Sequence, residues 1–382
     1  MFSPAPDADR KQAVLKQVVV AGQDALGANV VTEMLERGAY EPIVLGGPTF
    51  GRCPALPRQP EELSDDELAD LLAGVDALII TSGQDMPCVG ATPARANYER
   101  YVSPTQRLVR TARMKQVRRV VVFGALEVQL ARRWRDLPLS KSPYVRARML
   151  QEEIAVLEGE GVCAVSVIRL PKVFGGYPSP ECAEQIRRIQ AIAPGDLIPV
   201  ASGGTAVATA RQVAQATIGA MEFGVHGTRY AVVGENLTYR QIAQTMADEI
   251  GRNPDDVIAL APEDLARSFP EYAVPCGPTP DGDLAMESKL AGRCAYLDIE
   301  SVCHALRYPP DDVRAAVRQT VRLSLADVAP ADLTSVGIAR TGVVPADVVP
   351  HRETELISEV AQVGAFSSSG GPRTDAAPGP GT

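Results

Sequence analysis

The stretch KQVVVAGQDALGANVVTEMLERG, residues 16–38, decides how the rest of the chain is read. Residues 18–21 form a short, uninterrupted apolar run rich in valine, the pattern of a strand buried on both faces. A glycine turn follows, and residues 28–37 then place apolar side chains at helical spacing until Gly38 closes the segment. A buried strand that passes through glycine into a helix is the opening unit of a parallel α/β layer. The turn itself, Ala21-Gly22-Gln23-Asp24-Ala25-Leu26-Gly27, lets backbone approach an anion at a helix N-terminus. A tight turn with no ligand is the plainer reading of the same glycines.

Working outward, the alternation continues. Residues 42–45, 77–81, 120–123 and 164–168 read as strands, while 68–72, 105–115 and 144–158 read as helices. This is a doubly wound, Rossmann-like α/β fold with a parallel sheet covered on both faces. Past Pro171 the texture changes. Helices are expected over 183–193, 210–223 and 239–251, a strand over 229–233, and a Pro/Gly-rich loop over 194–204. The expected division is a first domain over 16–170 and a smaller mixed α/β lobe over 171–325 that exchanges elements with it. A C-terminal extension over 326–382 follows, its Ser/Gly/Pro-rich end expected to be disordered from about 366.

Composition sets outer bounds. The 382 residues are 45% hydrophobic and carry a net charge of −9, which argues against a general nucleic-acid binder. No apolar run approaches the ~18 residues of a membrane span, and residues 1–17 lack an apolar segment of the signal-peptide kind. A cytoplasmic protein is expected. Seven cysteines without a CxxC pair and three scattered histidines fit reduced thiols and no metal site. Cys163 and Cys182 read as core or near-surface thiols, since no histidine stands where it would activate them.

Several segments, in order, resemble the extended short-chain dehydrogenase/reductases, the NAD-dependent epimerase/dehydratase group. They are the turn at 21–27, residues 72–80, 105–113, 116–123, Pro143-Tyr144 with Arg148 and Glu152, and Ile168-Arg-Leu-Pro-Lys-Val-Phe-Gly175. The resemblance spans roughly residues 16–325. It implies NAD or NADP bound at Gly22, Asp24, Ala25, Leu26 and Gly27, with Arg52 as a candidate for a 2′-phosphate. It also implies a small-molecule substrate gripped by the second lobe, and the homodimer habitual in that family. Tyr144 would be the acid/base and Arg148 its electrostatic partner, with Thr81 and Ser82 as stand-ins for the family's Ser/Thr. Tyr101, Thr105 and Arg169 would lie near the same crevice.

The chain also departs from that pattern. The family's G-x-x-G-x-x-G turn is one residue shorter here and lacks its middle glycine, and the second strand ends Leu45-Gly46-Gly47 with no acid for the adenine ribose. Too little chain separates Leu45 from Leu72 for the usual helix and third strand. Asp24 reads equally as a helix N-cap. The Tyr-x-x-x-Lys pair is Tyr144 with Arg148, and the segment Phe123-Gly124-Ala125-Leu126 offers no hydroxyl. An arginine supplies charge but does not readily give up a proton. Tyr144 as a packing residue, with Arg148 paired to Glu152 one turn on, is the competing structural reading. Two functions follow: an NAD(P)-dependent epimerase, dehydratase or reductase, or a redox-neutral enzyme or non-catalytic binding protein on the same fold.

Overall fold

A computed structural model describes residues 16–22, 25–47, 53–81, 92–272 and 289–327. Its centre is a seven-stranded sheet in the order β3-β2-β1-β4-β5-β6-β10, with every pair parallel. The strands are β1 (Lys16–Ala21), β2 (Tyr40–Leu45), β3 (Ala55–Leu56), β4 (Ala77–Ile80), β5 (Arg119–Ala125), β6 (Ala164–Leu170) and β10 (Arg229–Ala231). From β1 the chain runs outward through β2 and β3, then returns to place β4 on the other side of β1. That reversal opens a crevice at the carboxyl ends of β1 and β4, the place where such sheets bind ligands.

The side chains of β1 explain why both faces are covered. Val18 and Val20 enter a core with α1 (Ala25–Arg37) and α8 (Ala210–Phe223), whereas Val19 and Ala21 face α2 (Asp65–Leu71), α4 (Ser103–Met114) and α6 (Pro143–Gly159). Period-two alternation sends successive residues to opposite layers, so a strand between two layers of helices has to be apolar throughout.

The third strand is present after all, in two-residue form: Val44 pairs with Ala55 and Leu45 with Leu56. Only residues 46–54 connect β2 to it, fewer than the ~12 that a helical crossover needs. The expected shortening of this edge is real, but the edge itself remains. The segment over 194–204 is likewise more than a loop. Its β8 (Ile198–Ala201) pairs in parallel with β12 (Val257–Leu260).

Beyond β6 the chain builds a second layer and then returns to the first. β7 (Lys172–Phe174), β9 (Gly204–Thr209), β11 (Glu235–Thr238) and β13 (Cys294–Ala295) form a small mixed sheet. α7 (Pro180–Ala191), α9 (Tyr239–Glu249) and α12 (Val313–Asp327) close a core around Phe174, Ile186, Val207, Met246 and Val317. Between β9 and β11, α8 and β10 cross back to the large sheet. The crossing starts at a capping box, in which Thr209 Oγ1 accepts from the Gln212 amide at 3.0 Å and Gln212 Oε1 from the Thr209 amide at 3.1 Å. α11 (Ile299–Leu306) then packs on α8. The expected disordered end, from 366, lies outside the described residues. Among the described residues no helix is long and apolar enough to cross a membrane, and no group of three or more His, Cys, Asp or Glu side chains is placed to hold a metal.

Candidate active site at the strand ends

The crevice is built from strand ends inward. β1 stops at Gly22, whose φ of +146° lies in the region that favours glycine, and whose amide donates to the Leu45 carbonyl at 3.0 Å. Helix α1 begins three residues later, with Leu26 and Gly27 buried. Gly27 therefore meets the requirement for close packing of the first helix on the sheet. Ala25 opens the helix and its carbonyl accepts from Asn29 Nδ2 at 2.7 Å. Asp24, Arg52 and Ser82 lie outside the described residues. On the β2 side, Gly46 and Gly47 follow the strand with no acidic side chain, and Gln59 Nε2 donates to the Gly46 carbonyl at 3.4 Å.

Thr81 directly follows β4 and is fully buried. Its amide and its hydroxyl both donate to the Ala21 carbonyl, at 2.9 and 3.3 Å. Its hydroxyl therefore clamps the end of β4 to β1.

Tyr144 and Arg148 occupy the first two turns of α6, which starts with Pro143 after Ser142, whose Oγ accepts from the Val145 amide at 3.2 Å. The ring of Tyr144 meets Tyr101 edge-on, with centroids 5.7 Å apart and planes at 79°. The Arg148 guanidinium lies 4.8 Å from the Tyr101 centroid and 6.0 Å from that of Tyr144. It is fully buried, and Nη2 donates to the Phe123 carbonyl at 3.1 Å, whereas Nε and Nη1 have no hydrogen-bond partner among the described residues.

Tyr101 reaches this position through a widened turn. Residues Tyr98–Val102 are π-helical, and Ser103 donates its amide to the Tyr98 carbonyl five residues back. Pro104, next along, has no N–H, and its ring would crowd the carbonyl four residues earlier; the wider turn relieves that crowding. Thr105, one turn below, accepts from Gln151 Nε2 at 2.9 Å and so ties α4 to α6.

The expected pairing of Arg148 with Glu152 does not form. Glu152, one turn on, pairs with Arg169 of β6 through two bonds of 2.9 and 2.6 Å, and with Arg229 Nε of β10 at 3.2 Å. The carboxylate is almost fully buried. A Cβ on Gly124 would stand 2.9 Å from its Oε1, so β5 needs glycine there. Arg169 is therefore a tether for α6 and not a crevice ligand.

One group the sequence reading missed is Glu127, half-buried in the first turn of α5 (Leu126–Arg133) directly after β5. Burial pushes its carboxyl above the usual range, against the pull of Arg148 and Lys172. Burial likewise raises the Tyr144 phenol, and the Arg148 charge offsets only part of the rise. Lys172, at the start of β7, pairs with Glu181 Oε2 of α7 at 3.0 Å and holds that carboxyl below its usual range. The signal for Glu127 was its position, an acid just beyond the end of a central parallel strand.

Two cavities sit elsewhere. The larger, about 480 Å³, opens between α2 and α4, and its Arg107 is already engaged by Asp65, Pro60 and Leu63. No strand residue lines it.

No family model matches the sequence, and no curated protein does. Solved structures do match. A dTDP-glucose 4,6-dehydratase from Streptomyces venezuelae, crystallised with NAD, is 19% identical and covers 82% of this chain and 98% of its own, with a TM-score of 0.59. A UDP-N-acetylglucosamine 4-epimerase from Bacillus cereus is 16% identical over 82% and 98%, at 0.57. Its counterpart from Methanobrevibacter ruminantium, in complex with UDP-N-acetylmuramic acid, is 15% identical over 83% and 100%, at 0.60. With identities below a fifth but coverage above four fifths of this chain, the likeness is one of fold: this chain has the fold of the NAD-dependent epimerases and dehydratases, the extended short-chain dehydrogenase/reductases.

Proposed function

We propose that the chain binds a nicotinamide dinucleotide across the β1/β4 crevice and acts on a nucleotide-linked sugar or a similar small metabolite. The observation that carries this reading is the packing of Tyr144 against the core that holds Leu126 and Val128 of α5, directly after the carboxyl end of β5, with Glu127 in the same first turn. The residues present fit the cofactor at its pyrophosphate. Gly22 lets backbone approach, and the amides at the start of α1 favour an anion. The fit is poorer at the adenine ribose, where β2 ends in glycines.

A bound nicotinamide supplies hydride exchange. This chain's residues would bind, orient and handle protons. Tyr144 and Glu127 are the groups able to give or take a proton at the phenol and carboxyl oxygens, and burial favours the neutral form of each. Residues 171–325 would supply the lobe that grips the substrate. Leu157 and Met114, 63% and 61% exposed on α6 and α4, suit a homodimer through those helices. A cytoplasmic location completes the reading.

A redox-neutral reaction in the same crevice is the second reading. It is favoured by Thr81 and Arg148, whose polar groups are turned to the Ala21 and Phe123 carbonyls. Titration with NAD(H) and NADP(H) by calorimetry decides between them. Micromolar binding, with Tyr144→Phe abolishing turnover while sparing affinity, supports the first reading. No binding at millimolar cofactor refutes it.

A further inference from the structure

We propose that the seam between α4 and α6 holds one internal water, bonded at once to the Arg148 guanidinium and the Gln151 carboxamide. The inference does not rest on the reading of the crevice. It starts from three buried polar atoms that find no partner among the described residues: Nε and Nη1 of Arg148, and Oε1 of Gln151. Buried polar groups of native proteins are nearly always bonded, either to protein or to ordered water. All three atoms here belong to two side chains of one helix, and both residues are 0% exposed.

The facing helix fixes where the two side chains lie. Arg148 Cζ is 4.8 Å from the Tyr101 ring centroid, and Gln151 Nε2 donates to Thr105 Oγ1 at 2.9 Å. Tyr101 and Thr105 are four residues apart along the π-helical turn and α4, and Arg148 and Gln151 three apart along α6. The two contacts are therefore successive rungs of one seam, about one helical pitch, ~5.4 Å, from each other. Side chains of a helix lean toward its N-terminus, so the Gln151 carboxamide leans back over the turn that carries Arg148. A single water suits that interval, since two hydrogen bonds of ~2.8 Å join atoms up to ~5.6 Å apart.

The atoms also select the ligand. A guanidinium N–H only donates, and a carboxamide oxygen only accepts. The bridging group has to accept from the first and donate to the second. Water does both, whereas an anion only accepts. Nη2 is already bonded to the Phe123 carbonyl, and the Tyr101 ring attracts the remaining charge of the guanidinium. Tyr101, Val102 and Thr105 are buried along the same seam, which closes it to bulk solvent.

NMR on the isotope-labelled full-length protein tests this by cross-relaxation between water and the side-chain N–H protons of Arg148 and Gln151. Arg148→Met and Gln151→Leu assign the resonances. The expected result is a cross-peak from one long-lived water to both side chains, with the Arg148 peak lost in Gln151→Leu. No cross-peak to either side chain overturns the proposal, as does an Arg148 peak that survives in Gln151→Leu. The wild-type spectrum decides even where a variant fails to fold, because Arg148→Lys then supplies the assignment. Melting temperatures give an independent reading. A shared water couples the two sites, so Arg148→Met/Gln151→Leu should fall short of the summed single shifts by roughly 2–4 °C. Additive shifts overturn the proposal. A melting temperature that rises with chloride at constant ionic strength, and only while Arg148 is present, overturns it in favour of a bound anion.

Discussion

Replacing Glu152 by alanine should be among the most damaging single changes in this protein. Its carboxylate, 1% exposed, takes two bonds from Arg169, itself 6% exposed, and a third from Arg229. Truncation would leave the Arg169 guanidinium buried between α6 and β6 with no anion. A stranded buried charge costs ~3–5 kcal/mol, far more than the net worth of an intact pair. At ~2–4 °C per kcal/mol for a domain of this size, the melting temperature should fall by roughly 10 °C. Arg229 suffers less, because it also bonds Glu153 at 2.8 Å and the Gly227 carbonyl at 2.8 Å. The double variant Glu152→Met/Arg169→Met removes both buried charges and should recover more than half of the loss. Calorimetric scanning of the wild type and the two variants, with exposed Arg95→Ala as control, measures all of this. A single variant melting within ~1 °C of wild type, or a double variant as unstable as the single, would refute the claim that these charges are buried and interdependent.

Arg148→Met should behave in the opposite way. It gives up one bond to Phe123 and the ring contacts, ~1–3 kcal/mol together, but relieves a desolvated guanidinium with two unpartnered nitrogens. Its melting temperature should stay within a few degrees of wild type, and a loss as large as that of Glu152→Ala would mean a tightly held counter-ion. Cys53, Cys163 and Cys182 are buried, with thiols pushed up to about 11 by burial. Peptide mapping after alkylation of the native protein at pH 8 should therefore find these three unmodified while exposed Cys294 reacts. Acid stability has a definite sign. Arg58 and Ser64 hold Glu67 at about 2, and arginine or lysine partners also depress Asp136, Glu158, Glu181 and Glu184. The unfolded chain binds the extra protons, so stability is full above the ordinary carboxylate range and falls as pH drops from 4.5 toward 2. Urea midpoints across that window should decline with acid, and less steeply in Glu67→Gln.

The sequence alone determined the layered part of this protein. Runs such as 18–21 and 120–123 are apolar at every position, and a strand of that kind is stable only between two layers of helices, which leaves few folds open. Gly38 and Gly224 marked helix ends because local chemistry suffices there. Two-residue β3, β8 with Pro199 inside it and the π-helical turn were not legible. Each is held by partners distant in sequence or by a widened hydrogen-bond ladder that no periodicity announces. The crevice divides in the same way. Tyr144 and Arg148 could be found from their spacing, but the spacing could not say which way a guanidinium turns. Only packing decided that Arg148 lies under Tyr101 and that Glu152 belongs to Arg169. Local sequence specifies which backbone a segment prefers, whereas the partner of a buried charge depends on what the rest of the chain brings next to it, and on the cost of leaving that charge alone.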